Sequence, residues 1–152
     1  MTGAARPDRA IPPQARYLGA SGAIPFVAFV LGIWFAPPAF QAWCRQALIA
    51  YAVVILSFVG ALHWGFTMKT PDMTERERWT WMGWSVVPAL AAWAAAILPY
   101  RLAIALLVVT FLAHLALDHR FAPRSGLPAW YLRLRRGLTA VVVAALALAA
   151  VR

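Results

Sequence analysis

The stretch QALIAYAVVILSFVGALHWGFTM, residues 46–68, decides the fold. It carries no Asp, Glu, Lys or Arg, and it exceeds the roughly 20 apolar residues that take an α-helix across the hydrocarbon core of a bilayer. Four more runs of this kind flank it, Leu18 to Ala36, Trp79 to Leu98, Arg101 to Leu117 and Leu138 to Val151. The last is short as written. If its helix opens near Pro128, where proline suits a first turn, Ala129 to Val151 becomes long enough to span, with Tyr131, Arg133 and Arg135 at the interface. The chain of 152 residues is 63% hydrophobic, well above the balance of a water-soluble domain. We therefore expect an all-α integral membrane bundle of five transmembrane helices, residues 17–152, preceded by a proline-rich, mobile cytoplasmic arm over residues 1–16.

A formal charge of +9 would suggest nucleic acid in a soluble protein, but the basic residues lie in loops. Five spans put Arg6, Arg9, Arg16, Lys69, Arg76, Arg78, Arg120, Arg124, Arg133, Arg135 and Arg136 on one side and only Arg45, Arg101 and Arg152 on the other. The positive-inside rule then predicts a cytoplasmic N-terminus and an outside C-terminus, with anionic lipid rather than nucleic acid as the partner of the charge. The hydrophobic stretch after the first arginines runs past signal-peptide length, and Pro7, Asp8, Pro12 and Pro13 do not suit the amphipathic helix of a mitochondrial presequence. A multi-pass protein of the bacterial inner membrane is expected. Cys44 is the only cysteine, so an intramolecular disulfide, a CxxC pair and a cysteine-based zinc site are excluded.

Along the chain, Pro37 and Pro38 should end the first helix, with an outer loop to Gln46 carrying Phe40 and Trp43. Thr74 stands three residues before Glu77, a capping-box spacing that predicts the start of the third helix. Pro99-Tyr100-Arg101 predicts a tight turn and an antiparallel hairpin of helices three and four.

Ionisable residues inside spans single out His63, His114 and Asp118. Spans two and four run in the same direction, so His63 and His114 should lie at similar depth near the cytoplasmic side. His114 and Asp118 are four apart on one helical face, where the carboxylate can hold an imidazole nitrogen. If spans two and four are neighbours, the three converge. Such a cluster suits a proton relay, a haem or metal site with His63 and His114 as ligands, or polar contacts to a quinone or lipid headgroup. The plainer assignment is structural, with each histidine a satisfied polar group that pins helix packing. Among eight tryptophans, Trp34, Trp43, Trp79, Trp81 and Trp130 fit interfacial belts, while Trp64 and Trp84 are placed to wall a pocket. No P-loop, GxGxxG, GxSxG or HExxH pattern occurs. The expected role is non-enzymatic binding of a lipid, quinone or membrane-protein partner in a cytoplasm-facing pocket among helices two, three and four, through His63, Trp64, Trp84, His114 and Asp118. The alternative is a redox or proton-handling protein built on His63 and His114.

The segment from Ala50 to Gly65, with its Ser57-Phe58-Val59-Gly60-Ala61-Leu62-His63-Trp64-Gly65 core, resembles the signature of the domain of unknown function 3429 family, which includes transmembrane protein 69-like proteins. Tyr17-Leu18-Gly19, Ile24-Pro25-Phe26, Trp84-Ser85-Val86-Val87-Pro88 and Pro128 to Thr139 extend the resemblance over nearly the whole chain. It implies a small multi-span protein of bacterial inner membranes and mitochondria. It supplies no activity or cofactor, and it ties His63, Trp64 and Gly65 to a family pattern.

Overall fold

A computed structural model describes residues 10–152. Five helices make up nearly all of it: α1 (Pro13–Phe35), α2 (Pro38–Lys69), α3 (Glu75–Ala96), α4 (Tyr100–Ser125) and α5 (Ala129–Ala150). No strand occurs among the described residues. Helix α1 takes in residues 13–16, assigned to the arm in the sequence reading; residues 1–9 of that arm lie outside the described residues.

Proline opens four of the five helices, as the N-cap (Pro12, Pro37, Pro99, Pro128), with α1 and α2 adding a second at the first position. The first turn leaves its amides without intrahelical partners in any case, so a residue with no N–H and a preset φ suits it. For this reason the expected outer loop to Gln46 does not form: Pro37 caps and Pro38 begins α2 at once, and Phe40 and Trp43 stack within its first turns at 5.0 Å. Helix α3 starts on the capping box predicted for it. The Thr74 hydroxyl accepts from the Glu77 amide at 3.3 Å, and Glu77 Oε2 accepts from the Thr74 amide at 2.9 Å. Gly126, at φ 62°, ends α4 in the left-handed conformation that glycine tolerates without strain.

Short connections force successive helices to run antiparallel. The five form a ring in chain order, closed by α5 packing on α1, and α2 also touches α4 across it. One end of the bundle gathers the start of α1, α3 and α5 and the finish of α2 and α4. This is the basic end, where Arg124 Nε donates to Glu77 Oε1 at 3.0 Å and ties α4 to α3. At the other end Trp34 Nε1 donates to the Leu148 carbonyl and Tyr100 Oη to that of Ala149, fastening α5 to α1 and α4.

Among the described residues, α1, α2 and α4 are long and apolar enough to cross a membrane. The four tryptophans of α3 and the three arginines of α5 hold those two helices below the same apolar level. Phe26, Ile33, Leu48, Leu56, Leu107, Phe111 and Leu146 fill the interior. The outer wall is equally apolar: Leu18, Ile24, Phe58, Leu90, Trp93, Leu102 and Val109 are each more than half exposed. Such a surface is matched by lipid rather than by water.

Candidate functional site

Near the basic end, three helices bring His63 (α2), His114 and Asp118 (α4) and Arg135 (α5) together with almost no exposure. Convergence of the two histidines and the aspartate follows the sequence expectation, because α2 and α4 run parallel and in contact. The bonding within the cluster differs from it. Asp118 does not hold His114: Oδ1 lies 4.0 Å from His114 Nε2 and 3.5 Å from His63 Nε2, with no hydrogen bond to either. Its other oxygen accepts from Arg135 Nε at 2.8 Å. A buried carboxylate needs a counter-charge close by, and α5 supplies it.

His114 is fully committed. Its Nδ1 accepts from Trp84 Nε1–H at 3.1 Å, and its Nε2 lies 3.1 Å from the Val59 carbonyl oxygen. Because indole only donates and a carbonyl only accepts, the ring is the neutral Nε2–H tautomer. It therefore pins α3 to α4 and α4 to α2. His63 has the opposite character. Neither ring nitrogen has a hydrogen-bond partner, and the ring lies parallel to Trp81 at 6.1 Å, with Phe121 at 5.3 Å and His114 edge-on at 4.8 Å.

Six unpartnered polar atoms gather here: both His63 nitrogens, Asp118 Oδ1, Arg135 Nη2, Tyr131 Oη and Thr139 Oγ1. Arg45 Nε is the one other buried side-chain polar atom without a partner among the described residues. Buried polar groups are ordinarily paired, so this concentration sets the cluster apart from the rest of the bundle.

His63, His114 and Asp118 present one donor atom each within 4.8 Å of one another, the one such trio among the described residues. The trio fits a resident metal poorly. His114 would have to surrender a hydrogen bond, and the Arg135 guanidinium already neutralises the carboxylate that would hold a dication.

Of the five residues expected to line a site, His63, His114, Asp118 and Trp84 meet, whereas Trp64 does not. It is 47% exposed and borders a separate outer depression with Arg78, Trp79 and Met82. His63 and Trp64 are neighbours on a helix, so their side chains diverge by about 100°, and only one can face α4. The expected pocket among α2, α3 and α4 also lacked its fourth wall. Arg135, Tyr131 and Thr139 come from α5, and Trp81, expected in an interfacial belt, stacks parallel to His63. A signal was present: Tyr131, Arg135 and Thr139 recur every four residues in phase with Val142 and Leu146, which places that arginine on the apolar face, away from Arg133 and Arg136.

Residues 11–151 match a family described as protein of unknown function DUF3429. Over 137 residues the chain is 34% identical to transmembrane protein 69 of Xenopus tropicalis, covering 87% of this chain and 51% of that protein. The chain thus spans about half the length of that relative. No solved structure matches it.

Proposed function

The chain belongs to the DUF3429 family, and from that premise we propose a single five-span membrane domain that binds a small membrane-dissolved molecule through the cluster of His63, Asp118, Arg135 and Thr139. The carrying observation is the gathering of unpartnered polar atoms around one buried ion pair. An incompletely satisfied network is unfavourable as mere packing, and a ligand that completes it gains the hydrogen bonds the protein leaves unmade.

Helix length supports five crossings. The 22 residues of α3 and of α5 rise about 33 Å at 1.5 Å each, against a hydrocarbon core of roughly 30 Å. Their arginines and, Trp93 apart, their tryptophans lie toward the basic end, where they reach an interface. Charge sets the orientation: the basic end faces the cytoplasm in the inner membrane of a bacterium, with the C-terminus outside. The relative is a frog protein named as transmembrane, and charge placement gives the sidedness of the chain rather than its compartment.

The test is native mass spectrometry of the full chain gently extracted from its own membrane, with organic extraction, absorption spectrum and metal analysis of the same sample. A stoichiometric organic ligand that is lost in the paired variant Asp118→Leu/Arg135→Met is the expected result. A ligand-free chain, or one held in a stoichiometric complex with another membrane protein and carrying no small molecule, overturns the proposal.

One observation favours a second reading, proton handling. His63 has two unbonded nitrogens and lies 3.5 Å from a carboxylate, so it can accept a proton there. Reconstituted vesicles with a pH-sensitive dye decide it: a proton flux lost in His63→Gln supports the reading, and equal flux in both proteins removes it.

A further inference from the structure

Arg135 and Thr139 do more than complete the cluster; they also line a cavity. It lies among α1, α2, α4 and α5, has a volume of about 140 Å³, and is walled by Phe26, Ile55, Phe111 and Val142. Leu18 and Phe58 border it and are 74% and 62% exposed, so it lies against the lipid-facing wall of the bundle. Gly22 also lines it, and a Cβ added there would meet nothing within 4 Å.

Both Arg135 and Thr139 hold a buried donor that has no partner. Arg135 is 6% exposed, and its Nη2 has no partner while Nε is held by Asp118. Thr139 departs from the habit of the other buried threonines. Thr67, Thr70 and Thr110 each return the hydroxyl to the carbonyl four residues earlier, at 2.7, 2.8 and 2.7 Å. Thr139, 2% exposed, makes no such bond, so its hydroxyl is left for a partner outside its own helix.

Size and charge narrow the occupant. A cavity near 150 Å³ holds about one benzene ring, whereas drug-sized ligands need about 300–1,000 Å³; the space takes a single six-membered ring and excludes a porphyrin. The Asp118–Arg135 pair is neutral as a unit. A carboxylate head would bring an uncompensated charge into low dielectric, while a neutral carbonyl oxygen needs only the two donors present. Resting on the ligand-binding reading above, we infer that the cavity takes the ring of a membrane-dissolved benzoquinone-type carbonyl compound. One ring carbonyl accepts from Arg135 Nη2 and the Thr139 hydroxyl, both of which turn toward it on binding, and the alkyl tail leaves past Leu18 and Phe58 into lipid.

The experiment titrates the full chain in detergent with a decyl-substituted 1,4-benzoquinone and separately with decanoic acid, by calorimetry. Saturable binding of one quinone per chain is expected, weakened about five- to tenfold in Thr139→Val by the loss of one hydrogen bond and abolished in Gly22→Leu, which fills the space. Both variants should unfold at the parental temperature in the absence of ligand, and Thr139→Val serves if Gly22→Leu does not fold. Equal or tighter binding of decanoic acid, or quinone binding unaffected by Thr139→Val, overturns the inference. Absence of quinone binding by a chain that retains an organic ligand from its own membrane overturns the ligand class alone. Absence of both overturns the binding function itself.

Discussion

Asp118 and Arg135 bear on stability as a pair and not as two separate contacts. Removing one charge leaves the other buried and uncompensated, which costs about 3–5 kcal/mol, whereas replacing both with apolar groups of similar volume is close to neutral. Asp118→Asn should therefore unfold far more readily in a mixed-micelle denaturation series than Asp118→Leu/Arg135→Met; equal stability of the two variants would mean the pair is hydrated. Glu77 lies outside the spans and behaves differently. Its carboxyl is pushed down from 4.5 to about 2, first by the hydrogen bond from Arg124 and then by the capping bonds with Thr74. A folded value below the unfolded one means that its contribution is present above pH 4.5 and is lost as the pH falls toward 2. Between pH 5 and 2.5 the native chain should lose melting temperature that Glu77→Gln, already lacking the charge, does not. At this scale the sequence showed which residues were costly in lipid, His63, His114 and Asp118. It hid the fact that Asp118 would turn from His114 to Arg135, because the choice depends on a helix 17 residues further on.

At the scale of elements, boundaries follow from local chemistry. Thr74 with Glu77 caps α3 and Pro128 opens α5, so these starts could be read before any fold was known, whereas Pro38 opens α2 where a loop to Gln46 was expected. The close approach of α2 and α3 could not. A Cβ on Gly60 would lie 3.0 Å from both the Pro88 Cβ and the Ser85 carbonyl oxygen. Alanine is about 1 kcal/mol better than glycine within a helix, but neither neighbour is a flexible side-chain end that can yield. Gly60→Ala should thus destabilise the bundle by about 1–3 kcal/mol. Gly65→Ala on the same helix, with nothing within 4 Å, should be neutral or better. Thermal unfolding of the two variants in one detergent separates a packing glycine from a tolerated one.

At the scale of the molecule, five alternating helices leave the two ends chemically unlike, and the orientation proposed from that difference is open to labelling. With Cys44→Ser as background, Arg152→Cys should react with a membrane-impermeant maleimide in intact cells and Glu75→Cys only after permeabilisation. The reverse pattern inverts the orientation, and labelling of both from one side removes the odd number of crossings. The sequence by itself determined an all-helical chain, its membrane character, the starts of α3 and α5 and its family, since each depends on composition or on residues within a few positions of one another. Only the tertiary structure decided that Arg135 meets Asp118, that Trp64 faces away from His63's partners, and that α5 closes the ring on α1 beside a cavity lined by Thr139. Those outcomes depend on how each helix is rotated against its neighbours, and lipid, uniformly apolar, imposes no such rotation; it is set where side chains from distant helices meet.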